Sequence, residues 1–206
     1  MDALLDVDRL VKLQADCVER WHSEAVGNAE AAPPWSLILE NHGRNFELWH
    51  EEDQARDKRA SDAVIAQVKR NIDRTNQQRN DAIERIDEYL LSELAARGVR
   101  TPEDAPLNSE TAGNIVDRLS ILALKVFHMR EETVRRDVDE AHREKCRVRL
   151  AVLEAQRIDL AASLRALLHD LANGTRRLKV YRQMKMYNDP TLNPVLYAQP
   201  KSGRRR

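Results

Sequence analysis

A polar interruption breaks the apolar stripe of the longest helical pattern in this sequence. In residues 61–97, apolar residues recur at helical spacing on both sides of a stretch that contains Asn76 and Arg79. At about 100° per residue, Arg79 lies within about 20° of Ile72 and Leu90 on the same helix face. An unpaired charge is costly in an apolar interior, so this arginine needs a partner there. The stripe therefore predicts a polar layer inside the fold.

Other segments carry polar residues that antiparallel hairpins would bring to the level of Arg79. A hairpin of the second and third predicted helices would place His42 opposite the polar interruption. A hairpin of the third and fourth would place His128 near Arg79, and a further hairpin would add Asp139 and His142. Glu132 or Asp139 is therefore the expected carboxylate partner of Arg79. The candidate proton-transfer residues are therefore His42, His128 and His142, and the candidate ligand-binding residues are Asn76, Arg79, Glu132, Arg135, Asp139 and Arg157.

Anion binding is the chemistry that this set of residues favours. Arg79, Arg135 and Arg157 all fall near stripe positions, and a guanidinium group binds phosphate or carboxylate through two parallel hydrogen bonds. A neighbouring imidazole can transfer a proton near neutral pH. We interpret the layer as a candidate site for a phosphorylated small molecule.

A metal site is the alternative reading of the same residues. Three histidines with a carboxylate suit zinc, iron or manganese, but the positive charge of Arg79 opposes a cation, so no metal ligands are assigned. Residues 50–53, with the sequence HEED, could also form a surface metal or phosphate cluster. We expect them instead to form a solvated face that pairs with Arg56, Lys58 or Arg59.

The composition restricts the class of protein. The 206 residues contain 34 basic and 34 acidic side chains, which argues against a globally basic nucleic-acid binder. The start, MDALLDVDRL, does not resemble a secretory signal, and the run Ile121–Leu124 is too short to span a membrane. We therefore expect a cytoplasmic protein in which Cys17 and Cys146 are unpaired.

Hydrophobic periodicity predicts an all-α, up-down bundle of four to five long helices. Pro34 can open the second helix and Gly98 can end the third. The middle of the fourth is apolar on nearly all sides, which predicts a central position. A hairpin is expected at residues 135–139, although no glycine or proline marks it, because a helix of about sixty residues is improbable. The predicted helices cover approximately residues 3–25, 34–56, 60–97, 109–135 and 139–172.

The C-terminal part of the chain is basic. Residues 175–187 are predicted to form a short amphipathic basic helix, and an extended tail with Pro190, Pro194 and Pro200 follows. We divide the chain into a helical-bundle domain at residues 1–187 and a tail at residues 188–206.

Four strings resemble the bacterial domain-of-unknown-function family 4254. They are NFELWHEEDQAR at residues 45–56, NQQRNDAIERID at 76–87, NSETAGNIVDRLSILALKVFHM at 108–129 and LKVYRQMKMYNDPTLNP at 178–194. The resemblance covers approximately residues 35–197 and implies an all-helical fold. Genes of this family often lie beside sugar-transferase genes, which implies a link to surface-glycan assembly.

Together, the residues and the resemblance lead to one functional hypothesis and one further alternative. We expect a cytoplasmic protein that binds or acts on a phosphorylated sugar or nucleotide-sugar. The further alternative is a non-enzymatic adaptor of a sugar-transfer machinery, in which the polar layer only fixes the register of the bundle. A solvent-accessible cavity lined by Arg79, His128 and His142 would favour ligand binding, whereas a closed and fully paired network would favour the adaptor.

Overall fold

The structure, a computed structural model, describes residues 3–27, 32–184, 186 and 189–198. Within these ranges the chain forms five long helices and one short one, without a β-strand, so the prediction of an all-α bundle is confirmed. None of the helices in these ranges is both long and apolar enough to cross a lipid bilayer. The helices are α1 (Val7–Trp21), α2 (Trp35–Ala55), α3 (Asp62–Ala96), α4 (Ala112–Val134), α5 (Glu140–Ala172) and α6 (Pro194–Tyr197).

Polar side chains fix where four of the five long helices begin. Asp6, Ser61, Thr111 and Asp139 each accept a hydrogen bond from the backbone N–H three residues later, which satisfies a donor that the helix itself leaves free. The Asp139 cap starts α5, and the side chain of Arg143 donates to two backbone carbonyls of the turn before it. These contacts explain how the chain turns between α4 and α5 without glycine or proline, and they confirm the predicted hairpin.

The fourth helix lies at the centre of the bundle, as its apolar sequence predicts, and packs against each of the other four long helices. The helices α1 and α2 run parallel to α4, and α3 and α5 run antiparallel to it. The pairs that show this are Gln14–Val116 and His22–Phe127 for α1, Asn41–Asp117 and Trp49–His128 for α2, Asp87–Gly113 and Arg79–Asp117 for α3, and His142–Glu132 and Glu154–Arg130 for α5.

The apolar core is divided along the bundle axis. The larger cluster includes Leu10, Ile86 and Leu119, and a second cluster contains Val18 and Phe46 nearer the C-terminal ends of α1, α2 and α4. Buried polar side chains of α1, α2 and α4 lie between these two clusters.

A close approach of α3 and α4 sets the register of these two helices. The Asp87 carboxylate accepts a hydrogen bond from the Gly113 N–H at 2.7 Å, and burial raises the pKa of Asp87 to about 6. Arg79 precedes Asp87 by about two helical turns. It therefore lies level with the second and third turns of α4, far from Glu132.

The C-terminal segment differs from the prediction. The basic helix expected at residues 175–187 is wrong for residues 175–184, none of which is helical. Acidic side chains on α3 hold this segment instead: Arg182 pairs with Glu84 and Glu88, and the Gln183 N–H donates to Glu84 at 2.8 Å. The pairing of Arg182 with two carboxylates of α3 therefore holds this segment against the bundle without a helix. Residues 185, 187 and 188 lie outside the described residues.

The region predicted as an extended tail contains the short helix α6, which Asn193 caps. The division into a domain at residues 1–187 and a tail at residues 188–206 stays a prediction.

The close approach at Gly113 yields a stability prediction. A Cβ atom at this position would lie 2.6 Å from the Ile83 carbonyl oxygen. The helices must then separate, so Gly113→Ala is expected to lower the free energy of unfolding by about 1–3 kcal/mol. The control is Gly27→Ala, where the nearest atom would be 3.8 Å away and the expected change is within about 0.5 kcal/mol. Urea unfolding monitored by circular dichroism gives both values, and equal values for the two variants would contradict the prediction.

Candidate functional site

A buried polar layer crosses the bundle between α1, α2 and α4. All of its residues are at most 7% exposed, and they come from three helices that run in the same direction. Its members are Gln14, Asn41, His42, Asn45, Asp117 and Ser120.

Asp117 is the acceptor at the centre of this layer. Its Oδ1 atom accepts hydrogen bonds from the side-chain amides of Asn41 at 2.9 Å and Asn45 at 2.8 Å. The Nε atom of Arg79 lies 3.8 Å from the same oxygen, which is an ion pair but not a hydrogen bond. Asn41 and Asn45 therefore attach α2 to α4, and Arg79 adds α3 to the same carboxylate.

His42 lies in a directed chain of hydrogen bonds that ends at the Gln14 carbonyl. The Asn45 amide donates to Ser120 Oγ at 3.0 Å, and Ser120 Oγ lies 2.7 Å from His42 Nδ1. His42 Nε2 lies 2.9 Å from the Gln14 carbonyl oxygen. Because a carbonyl can only accept, Nε2 carries the proton and Nδ1 accepts from the Ser120 hydroxyl. Burial lowers the pKa of His42 to about 4, so this imidazole is neutral at physiological pH.

The polar layer reaches solvent through a cleft between α2, α3 and α4. The cleft has a volume of about 420 Å³, with Asn45 at its inner end and Ile121 and Leu124 on the α4 side. The Arg79 side chain is 27% exposed there, and its Nε atom is buried without a hydrogen-bond partner. The other polar and aromatic groups of the wall are Trp49, Glu52, Asp53, Arg56 and Asn76.

The wall of this cleft offers both donors and acceptors. Arg56 pairs with Glu52 at 3.0 Å, whereas the side chains of Asp53 and Asn76 have no hydrogen-bond partner among the described residues. The two arginines of the wall balance its two carboxylates. The cleft is therefore polar but nearly neutral, and is not a strongly cationic anion site.

Two larger depressions lie elsewhere, with volumes of about 620 and 640 Å³. One runs along α4 and α5, and the other lies between α5 and the segment before α1. Neither borders the buried polar layer, so the smaller cleft is the stronger candidate for a specific site.

A second group of side chains, the histidine cluster, consists of His22, His50 and His128. One ring nitrogen of each lies within 4.8 Å of those of the other two. His22 follows α1, His50 lies on α2, and His128 lies on α4. Burial lowers the pKa of His128, which the neighbouring His22 and His50 lower further.

Aromatic rings enclose the histidine cluster. Trp49 stacks on His128 at 4.7 Å, and Phe127 stacks on His22 at 4.2 Å between ring centroids. Because Trp49 also borders the cleft, the cleft and the histidine cluster are neighbours.

A third group lies at the α4–α5 turn. His142 Nε2 is 3.0 Å from Glu132 Oε2 and 3.4 Å from Cys146 Sγ, and Arg135 donates to the same carboxylate oxygen at 2.9 Å. Cys146 is a buried free thiol, as is Cys17.

The chain matches the family model described as a protein of unknown function, DUF4254, over residues 35–180. The chain belongs to the DUF4254 family. The DUF4254 match covers α2 to α5 and therefore the whole cleft, whereas Gln14 and His22 lie outside it. No curated protein and no solved structure matches the chain.

The DUF4254 structure distributes the predicted site residues over five places. Arg79 and Asn76 border the cleft, and His42 lies behind it in the polar layer. His128 belongs to the histidine cluster. Four further predicted residues lie at the α4–α5 turn, where Asp139 caps α5: Glu132, Arg135, Asp139 and His142. Arg157 instead faces α1.

The predicted partner of Arg79 is wrong. Glu132 or Asp139 was expected, but Asp117 is the nearest carboxylate. The expectation assumed a symmetric α3–α4 hairpin, whereas α3 extends beyond the level where α4 begins, at the contact of Asp87 with Gly113. The register is therefore displaced by about two turns. For the same reason His128 and His142 do not border the cleft.

Sequence reasoning missed several residues of these sites. Asp117 and Ser120 interrupt an otherwise apolar helix, and Asn41 and Asn45 flank His42. These polar residues in apolar surroundings could have been recognised in the sequence as members of the buried layer. His22 carried no such signal, and His50 was considered only with its acidic neighbours at residues 51–53. The meeting of these two histidines depends on α1 running parallel to α2, which the sequence does not show. The segment at residues 50–53 pairs as expected through Glu52 and Arg56, but His50 instead packs against Phe46.

The buried state of His42 predicts a specific pH dependence. The pKa of His42 is about 4 in the folded chain and about 6.5 in an unfolded one. The unfolded state therefore binds more protons between these values. The stability contributed by neutral His42 is fully present above about pH 6.5 and is lost as the pH falls to about 4, by an amount on the order of 3 kcal/mol.

Histidine titration by NMR checks this directly, with exposed His169 as the internal control. The free energy of unfolding of the native chain is then compared with that of His42→Gln across the same pH range. The comparison is needed because Asp87, with its raised pKa, favours the folded state as the pH falls. Protonation of His42 near pH 6.5 in the folded protein would contradict the prediction.

Proposed function

We propose that this protein binds a small polyhydroxylated ligand in the cleft, namely the sugar portion of a sugar phosphate or nucleotide-sugar. The observation that carries the proposal is the incomplete pairing of Arg79. Its Nε atom is buried beside Asp117 without a hydrogen-bond partner, while part of its side chain faces the cleft. Buried donors are almost always satisfied, so a ligand or ordered water in the cleft would complete this group.

The wall of the cleft suits hydroxyl groups. A sugar hydroxyl both donates and accepts hydrogen bonds. Asp53 is positioned to accept, Arg79 to donate, and the Asn76 amide to do either. Trp49 adds a flat apolar surface next to these groups. An apolar surface with a few polar groups that fix the orientation is typical of small-molecule sites.

The charges of the wall suit a sugar in the cleft with a phosphate at its edge. A phosphate placed deeply would face the carboxylates of Glu52 and Asp53. Arg56, whose side chain is 69% exposed, is better placed for a phosphate that remains near solvent. The proposal therefore assigns Asn76 and Arg79 to ligand binding, and Glu132, Arg135, Asp139 and Arg157 have no role in it.

The proposal concerns binding and assigns no catalytic step. The three candidate proton-transfer residues, His42, His128 and His142, do not border the cleft. His42 connects to the cleft only through Ser120 and Asn45. Its role here is to hold Asn45, which donates to both Ser120 and Asp117.

A thermal-unfolding screen tests the proposal. The panel contains uncharged monosaccharides, sugar phosphates, nucleotide-sugars and inorganic phosphate. A ligand at about 100 times its Kd is expected to stabilise the folded state by about 2.7 kcal/mol. Stabilisation by sugar-containing compounds but not by inorganic phosphate supports the proposal. An effect of phosphate alone, or of no compound, contradicts it and leaves the adaptor as the better interpretation.

Matched variants then locate the ligand. Asp53→Asn keeps the shape of the side chain but removes a charged acceptor, and is expected to weaken binding about tenfold, equivalent to about 1.4 kcal/mol. The control is Asp159→Asn, which borders the depression along α4 and α5 and should leave the Kd unchanged. Isothermal titration calorimetry gives both constants, and equal effects of the two substitutions would place the ligand elsewhere.

A further inference from the structure

The histidine cluster has the arrangement of a metal site. We propose that His22, His50 and His128 bind one divalent transition metal ion, of the zinc type, through three imidazole nitrogens. This site is separate from the sugar-binding cleft and does not depend on it.

Each ring of the cluster is held through its Nδ1 atom. His22 Nδ1 lies 2.7 Å from the Val18 carbonyl oxygen, and His50 Nδ1 lies 2.9 Å from the Phe46 carbonyl oxygen. Because these carbonyls accept, both Nδ1 atoms carry the proton, which leaves a lone pair on each Nε2. Metal-binding histidines are oriented in this way, by a carbonyl or carboxylate on the nitrogen that does not bind the metal.

His128 follows the same pattern with a carboxylate. Its Nδ1 atom lies 3.0 Å from Glu131 Oε2. Its Nε2 atom is buried and has no hydrogen-bond partner. A buried acceptor without a partner is rare in proteins and requires an explanation. A metal ion bound to this nitrogen would satisfy it.

The spacing of the three rings is compatible with one ion. One nitrogen of each ring lies within 4.8 Å of the other two, and tetrahedral zinc with bonds of about 2.0–2.1 Å requires nitrogens about 3.3 Å apart. Binding of an ion would therefore require the rings to move somewhat closer together. The stacking of Phe127 on His22 and of Trp49 on His128 restricts the rings to nearly this arrangement before any ion binds.

The donor set selects the class of metal. Three imidazoles suit zinc, cobalt, nickel or copper, whereas magnesium and calcium require oxygen ligands. Three protein ligands leave a fourth position for water or another molecule, and His22 is exposed, so solvent reaches the cluster.

The group at the α4–α5 turn is a weaker candidate, although its ligand atoms are also close together. Glu132 Oε2 already accepts from Arg135 at 2.9 Å, and a cation would have to displace that guanidinium group. His142 is also bonded to Glu132. Among the described residues, the hydrogen bonds and ion pairs of the histidine cluster involve no arginine or lysine.

Calorimetric titration of the full chain, first freed of metal with a chelator, tests the proposal with zinc chloride and with magnesium chloride. We expect about one zinc ion per chain and no saturable binding of magnesium. The replacements His22→Ala and His50→Ala are each expected to weaken zinc binding by at least about 100-fold. Glu131→Gln, which changes only the partner of His128 Nδ1, should weaken it by about 10- to 100-fold.

The matched control is His142→Ala, which removes a histidine of the rival group and should leave zinc affinity unchanged. The cobalt-loaded chain provides a second readout, because a thiolate-to-cobalt charge-transfer band would reveal Cys146 as a ligand. Circular dichroism confirms that each variant is folded, and His22, being exposed, is the substitution least expected to disturb the fold. The proposal is overturned if the native chain shows no saturable zinc binding, if His22→Ala and His50→Ala bind zinc like the native chain, or if His142→Ala abolishes binding.

Discussion

The buried carboxylate of Asp117 is the interaction on which the arrangement of this bundle depends. An ionised carboxylate in a protein interior is unfavourable unless donors surround it. Here two amides of α2 donate to one oxygen, and the guanidinium group of α3 lies close to the same atom. The need to satisfy one charge on the central helix therefore fixes the position of both neighbouring helices. It also presents Arg79 and Asn45 to the cleft.

The two candidate sites use adjacent faces of one helix. Trp49, Asp53 and Arg56 face the cleft, while Phe46 and His50 face the histidine cluster. Residues 45–56 of α2 therefore contact two different environments. For this reason their polar and apolar side chains do not form a single amphipathic stripe. Trp49 belongs to both environments, so a change in the position of its ring would alter both the wall of the cleft and the stacking on His128.

Helical periodicity predicted the all-α fold and the central helix, because both depend on local composition. The turn between α4 and α5 was predicted only because an unbroken helix of about sixty residues is improbable. The register of α3 against α4 was not predictable in this way. It depends on the contact of Gly113 with Asp87, and a displacement of two turns preserves the apolar face while changing the partner of Arg79. The basic segment around Arg182 illustrates the same limit, since acidic side chains distant in sequence override its helical propensity.

The first helix lies outside the region that matches the family model, yet it completes the interior. The carbonyl of Gln14 accepts a hydrogen bond from His42 Nε2. Leu10 belongs to the larger apolar cluster and Val18 to the second one. The boundary of sequence similarity and the boundary of the folding unit are therefore different in this chain. A fragment that begins at residue 35 would contain every residue of the matched region. It would nevertheless leave a buried imidazole donor without its acceptor and one side of α4 without cover.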